Sequence, residues 1–320
     1  MAKSFTRLKE QIRELGFGNK GFTGRLINRD GSFNIEKKGA GIKSFSPYQF
    51  VINMHWMGFL LLILIAYILI NLVFALLYLW AGPENLTGYR PSGEMSGFLH
   101  CFYFSSQTLT TVGFGKISPN SHLTSLIASF EAMIGLMAFA LATGILYGRF
   151  SKAQAKIQFS ENILIAPYQD GKGLKFRISN SRKNQLIELK ARLMYSYMED
   201  DRGTRKRRYR QLGLEIDFIN MFPLPWTLVH AIDEDSPIHG KNVQDFSGEE
   251  AEFLIILKGY DDTFSQYVHQ AYSYRHDEIV FDAEFDPMFF DTKDGKTVVH
   301  LNRINDHRKV YPDSKQEPGV

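Results

Sequence analysis

Only one cysteine, Cys101, occurs in the 320 residues, which rules out an intrachain disulfide and any multi-cysteine metal site. A strong charge of one sign is also missing. The net charge of +3 is too mild for a nucleic-acid-binding surface. No Ala-x-Ala-like cleavage site follows a short apolar stretch near the N-terminus, and the first apolar run starts too late and is too long for a signal peptide. No glycine-rich fingerprint follows a strand pattern, which argues against a nucleotide-binding regulatory domain. His, Ser and Asp side chains are present, but no nucleophile or metal motif organises them. Neither an enzyme nor a resident cofactor is expected.

Two long apolar runs stand out against this background. Met57 to Trp80 and Leu123 to Tyr147 each exceed the ~20 residues needed to span a bilayer. Asn71 is the one strongly polar residue of the first, and Glu131 the one charge of the second. Ten Lys and Arg precede Trp56, only Arg90 and Lys116 lie between the runs, and Arg149, Lys152 and Lys156 follow. Basic flanks face the cytoplasm, so both termini are expected inside. Ser46 to His55, with Pro47 suited to a first helical turn, reads either as an amphipathic helix on the inner leaflet or as a continuation of the first span.

The loop between the spans has a turn-rich part, Gly82 to Gly97, and a helical stretch, Phe98 to Thr110, too short to cross. Then comes Thr111-Val112-Gly113-Phe114-Gly115. A helix entering from outside would aim its negative end at the membrane centre, where it favours a dehydrated cation. The five residues would return in extended form. Stacked rings of carbonyls, with a ring of Thr111 hydroxyls, can replace the water of K+, and Thr111, Val112, Gly113 and Phe114 are its expected ligands. Turning alternate carbonyls inward asks for conformations that suit glycine at 113 and 115. Val112 and Phe114 would wedge the strand from behind. Such irregular backbone is tolerable at this depth only if it lines a water-filled cavity.

An ionisable group inside a membrane is a functional candidate. Glu131 reads as a brace behind the ion-selective loop Thr111 to Gly115, the filter, bonded to Ser105, Ser106 or Thr108, or else as a cavity charge. Gly135 and Gly144 are bending points or close-packing points; the reading favours a hinge at Gly135 and packing at Gly144. Tyr147 is either a four-fold constriction or an interfacial anchor.

From about residue 158 the pattern turns to strands. Leu174 to Ile178 alternates strictly, Leu212, Leu214, Ile216 and Phe218 keep period two, and Phe253 to Leu257 reads as a buried run. Asp170-Gly171 and Asp294-Gly295 mark turns. Many short strands imply a β-sandwich. The expected division is an N-terminal segment (1–45), an interfacial helix with a membrane pore domain (46–150) and a β-sandwich (151–320).

Four stretches carry a family resemblance. Residues 25–35 (RLINRDGSFNI), Ala75 to Trp80 (ALLYLW), Arg177 to Lys183 (RISNSRK) and above all His230 to Pro237 (HAIDEDSP) resemble the inward-rectifier potassium channels of the prokaryotic type. The resemblance implies a homotetramer of two-span subunits with a pore helix, in the bacterial inner membrane, and an immunoglobulin-like β-sandwich that prolongs the pore into the cytoplasm. It implies K+ as permeant ion and polyamine or Mg2+ as blockers. The rectification position of the second span falls on Phe139, which removes one polyamine site. Glu188 and Asp262 match cytoplasmic pore acids. The narrow cytoplasmic loop falls near Thr263 to Tyr267 and brings in Phe264 as a second constriction. Gln107 and Ile117 stand where animal members have a Glu–Arg brace, so filter support rests on Thr110, Gln107 and Glu131. Weak rectification follows.

Juxtamembrane bases attract anionic headgroups, so Lys43, Arg149, Lys152, Lys156, Arg182 and Lys183 are candidate lipid ligands. Arg205 to Arg208 reads as a hairpin loop, solvated or touching the membrane surface. A membrane-anchored β-sandwich scaffold that conducts nothing is the alternative function.

Overall fold

The computed structural model describes residues 24–36, 38–39, 46–90, 96–152, 155–201 and 203–310. They divide into a helical unit, Lys38–Lys152, and a β-unit that joins Met1–Lys37 with Ala153–Val320. Of the expected N-terminal segment, the described residues 24–36 group with the β-unit.

The helical unit starts at α1, Pro47–Asn53, with the Ser46 hydroxyl accepting the Gln49 N–H and Pro47 in the first turn. Met54 is extended, and His55 caps the next helix, α2, Trp56–Ala81. The helix over Ser46 to His55 is thus separate from the first span rather than its continuation. Gly82, at φ +94°, ends α2, a conformation that suits glycine. α3, Gly97–Leu109, is capped by Ser96. α4, His122–Phe150, opens on a capping box between Ser121 and Thr124.

α2 and α4 have 26 and 29 residues, about 39 and 44 Å at 1.5 Å per residue, enough to cross a ~30 Å hydrocarbon core with tilt. Asn71, Phe74, Ala75 and Tyr78 form the buried stripe of α2, at the spacing of one helical face. This stripe packs on Cys101 and Phe104 of α3. Elsewhere the spans expose mainly apolar side chains, Leu60, Leu64, Leu126 and Leu136 among them. The ends of the connecting loop are tied together: the Thr87 N–H donates to Ser118 O, and the Asn120 N–H to Asn85 O.

The β-unit is a sandwich. β1 (Ile157–Phe159), β2 (Ile163–Tyr168), β3 (Gly171–Asn180), β7 (Trp226–Ile232) and β10 (Ile279–Phe281) form one sheet. β4 (Leu186–Asp201), β5 (Thr204–Leu212), β6 (Phe218–Met221), β8 (Glu252–Asp261) and β9 (Gln266–Arg275) form the other. Leu174, Phe176 and Ile178 from the first sheet meet Leu193, Phe253 and Ile255 from the second in one buried core. A short helix, α5 (Val243–Gly248), adds Phe246 to it. β11 (Ala283–Phe285) pairs with β14 (His307–Lys309), and β12 (Phe289–Asp291) with β13 (Thr297–Val299).

Two strand readings are corrected. The period-two run from Leu212 to Phe218 is not one strand: β5 ends at Leu212, and the chain leaves the sheet before β6. Arg205 to Arg208 lies not in a hairpin loop but inside β5, after a turn with Gly203 at φ +81°. Its charges are paired: Lys206 with Asp201 and Arg208 with Glu199 of β4, and Arg205 with Glu250 in the turn before β8. Arg207 is buried beside Glu252. Ion pairing across the sheet explains a basic run that sequence alone reads as solvated.

Residues 24–36 dock on this unit. Leu26 and Ile27 are buried with Met194, Tyr209 and Leu254. The Leu26 N–H donates to both oxygens of Glu252, at 2.9 and 3.0 Å. Arg25 and Arg29 both pair with Glu278.

Candidate functional site

The loop after α3 reverses backbone hand at alternate residues. Thr111, Gly113 and Gly115 have φ of +57°, +56° and +78°, while Val112 and Phe114 do not share that sign. Alternating left- and right-handed residues turn successive carbonyls to one side, whereas a β-strand turns them to opposite sides. Glycine takes this conformation freely. For a β-branched Thr111 it is an outlier costing on the order of 1–3 kcal/mol, strain that persists only where the surroundings fix it. Thr111 in this conformation was not foreseen from the sequence.

Gln107 fixes it. The main-chain carbonyl of Gln107 accepts the N–H groups of Val112, at 3.0 Å, and Gly113, at 3.2 Å. Its side chain accepts the Phe114 N–H at 3.2 Å through Oε1 and donates to Ile117 O at 3.0 Å through Nε2. One glutamine therefore spans the loop from behind. Thr110 ends α3, its hydroxyl donating to Ser106 O at 2.7 Å. Val112 and Phe114 are exposed within the chain, so the wedge expected from them is not made in one subunit.

Glu131 is fully buried, with Oε1 2.5 Å from the Ser105 hydroxyl and Oε2 2.6 Å from the Tyr78 hydroxyl. It faces neither solvent nor an open cavity, which removes the cavity-charge reading. Ser106 pairs instead with Tyr67, and the Thr108 hydroxyl donates to Phe104 O. Tyr78 was missed by sequence reasoning; its place seven residues after Asn71 on the apolar face was the available signal.

The comparisons with known proteins now decide the family. Residues 157–317 match the family model "Inward rectifier potassium channel C-terminal domain", and residues 62–152 match "Ion channel". The chain is 31% identical over 285 residues to inward rectifier potassium channel Kirbac3.1 of Paramagnetospirillum magnetotacticum, covering 88% of this chain and 95% of that one. It is 26% identical to ATP-sensitive inward rectifier potassium channel 12 of Gallus gallus, over 87% of this chain and 72% of that one. With inward rectifier potassium channel 4 of Mus musculus it shares 25% identity, over 84% of this chain and 69% of that one.

The chain belongs to the inward rectifier potassium channel family. It is a membrane protein, a two-span potassium channel subunit with a C-terminal β-sandwich, and membership does not favour the scaffold alternative.

Several expected site residues of this channel subunit change meaning. A Cβ at Gly135 would lie 2.1 Å from Leu109 O, while one at Gly144 would meet nothing within 4 Å beyond its own helix. The hinge expected at Gly135 is thus replaced by close packing, no close neighbour is found for Gly144 within the chain, and α4 runs unbroken through both glycines. Tyr147 is exposed near the end of α4.

Arg149 is not a free headgroup ligand. Its guanidinium donates to the carbonyls of Val51, Ile52 (3.1 Å) and Met54 (2.6 Å), and lies over the rings of Trp56 and Phe59 at 4.7 and 4.6 Å. The last carbonyls of a helix lack partners within it, and a cation completes them. Lys152 bonds Asn53 Oδ1 at 2.6 Å, and Lys43 lies outside the described residues.

In the β-unit, Lys156, Arg182 and Lys183 come together. β1 pairs Ile157 with Asn180, and the Ser181 N–H donates to Lys156 O. Glu188 sits at a β4 bulge with φ +51°, its carboxylate accepting the Tyr267 hydroxyl at 3.4 Å. Asp262 begins the β8–β9 turn, and its N–H donates to Gln185 O. Leu186 pairs with Asp261, so both acids belong to one end of this sheet. Phe264 is half-buried in the same turn, its N–H donating to Asp261 Oδ1 at 3.3 Å.

Proposed function

We propose that four copies of the chain surround a central axis, and that Thr111 to Gly115 form a selectivity filter whose carbonyls coordinate dehydrated K+. The observation that carries this is the alternation of positive φ at Thr111, Gly113 and Gly115 directly after α3. One loop supplies one side of a cage, so several copies are needed to replace a hydration shell. Gln107 and Glu131 hold the scaffold behind the filter. The subunit lies in the bacterial inner membrane with both termini in the cytoplasm, a reading the basic flanks support, and K+ is its permeant ion.

Anionic lipids regulate conduction through Lys156, Arg182 and Lys183, three bases at one end of the β-unit. Tyr147 and Phe264 are the constrictions. Glu188 and Asp262 line the cytoplasmic pore and concentrate cations, including blocking polyamines and Mg2+. Phe139 offers no charge to a blocker in the second span, so rectification is weak.

Uptake of rubidium into liposomes holding the purified chain tests the function. Uptake driven by a K+ gradient and stopped by barium is the expected result. No uptake in any of several neutral and anionic lipid mixtures, from chain shown to be inserted, would contradict it.

A further inference from the structure

Four fully buried polar side chains from three helices meet beside the pore helix: Asn71 and Tyr78 of α2, Ser105 of α3 and Glu131 of α4. Ser105 Oγ lies 3.0 Å from Asn71 Oδ1 and 2.5 Å from Glu131 Oε1, and the Tyr78 hydroxyl lies 2.6 Å from Glu131 Oε2. Asn71 Nδ2 donates to Tyr67 O at 2.7 Å. That carbonyl can only accept, so the Asn71 amide cannot be turned round, and its oxygen faces Ser105.

The protons can be counted. Ser105 has one hydroxyl proton. Were Glu131 ionised, Asn71 Oδ1 and Glu131 Oε1 would both be acceptors competing for that proton, and one buried contact would be left unmade. With a proton on Glu131 Oε1, every contact closes: Tyr78 donates to Glu131, Glu131 to Ser105, and Ser105 to Asn71. Among the described residues no cation pairs with Glu131, and an unpaired charge in this setting is costly.

We propose that Tyr78 and Asn71 are positioning residues for the filter, acting through a chain of donated hydrogen bonds in which Glu131 is the neutral acid. The proposal rests on the potassium-filter reading. Ser105 lies two residues from Gln107 on the same helix, and Gln107 holds the backbone of Val112, Gly113 and Phe114. The first span thereby fixes where α3, and with it the filter, stands.

Infrared difference spectra and flux ratios on the intact channel in liposomes test this. Wild type minus Glu131→Gln should show the carbonyl stretch of a protonated carboxylic acid, and Tyr78→Phe should shift that band. Glu131→Gln keeps a donor toward Ser105 and an acceptor toward Tyr78, so its flux ratio should fall less than that of Glu131→Ala, which keeps neither. Tyr78→Phe and Asn71→Leu should lower the rubidium-over-sodium flux ratio roughly five- to tenfold, the scale of one lost buried hydrogen bond. Absence of the acid band would overturn the proton assignment, as would a flux ratio in assembled Glu131→Gln no higher than in assembled Glu131→Ala. Unchanged ratios in assembled Tyr78→Phe and Asn71→Leu channels would overturn the positioning role. The band is readable whether or not the wild type conducts, so failure of the channel reading is distinguishable from failure of this one.

Discussion

The α-carbon of Gly135 and the carbonyl oxygen of Leu109 stand so close that a Cβ at 135 would lie 2.1 Å from the oxygen. The second span therefore touches the end of α3, just before the loop from Thr111 to Gly115, through a residue with no side chain. Gly135→Ala must push the two helices apart, an overpacking cost of about 1–3 kcal/mol. Gly144→Ala meets nothing within 4 Å in its own chain and gains helix propensity of up to about 1 kcal/mol. Thermal unfolding should show the first variant lowered and the second unchanged or raised. The reverse order would restore the hinge reading of Gly135.

Arg149 joins the end of α4 to the end of α1. Arg149→Gln leaves the carbonyls of Val51, Ile52 and Met54 without that partner. Hydrogen exchange over Pro47–Asn53 should quicken, equally in neutral and anionic vesicles. Replacing Lys156, Arg182 and Lys183 by Gln should instead change the response of flux to anionic lipid. If Arg149→Gln altered only the lipid response, the clamp would be the wrong description.

Glu252 holds the backbone of Leu26 and Ile27. It accepts the Leu26 N–H and faces the buried Arg207 at 3.6 Å. Glu252→Ala removes the nearer carboxylate of the buried Arg207, while Glu250 at 3.9 Å and the Ser196 hydroxyl stay, so the loss should fall below the roughly 3–5 kcal/mol of a fully broken buried pair. The amides of Leu26 and Ile27 should lose protection from exchange while the core strand β8 keeps its own. Retained protection at both amides would contradict this.

His230 sets a pH dependence. Its Nδ1 contacts Gly213 O and its Nε2 lies 2.8 Å from the Ser236 hydroxyl. Burial disfavours the imidazolium and lowers its pKa. The unfolded chain then binds the proton more readily, so stability from this group is present above about pH 6.5 and is lost as pH falls through the lower folded value. The unfolding midpoint should fall between about pH 7.5 and about pH 5.5, and His230→Gln should flatten that change. An unaltered slope in the variant would show that other groups carry it.

Much of this was legible in the sequence because it rests on local rules. Two long apolar runs, a short helix between them and a glycine pattern placed the spans and the loop. Gln107 and Ile117 could be identified as a departure from the Glu–Arg pair. That the glutamine bridges Phe114 and Ile117 depends on how α3 ends, which no periodicity encodes. Arg149 and Arg205 to Arg208 were misread for one reason: a basic residue near a membrane looks the same whether its charge is free or engaged by carbonyls and carboxylates from distant segments. Gly135 and Gly144 are indistinguishable until the neighbouring helix is in place.

The central claim, that the loop from Thr111 to Gly115 selects potassium, is tested most directly by the reversal potential of reconstituted single channels with K+ on one side and Na+ on the other. The wild type should reverse close to the K+ equilibrium potential, and Gly113→Ala, assembled to the same degree, should pass no selective current. A wild-type reversal near zero, or selective current persisting in Gly113→Ala, would contradict the account.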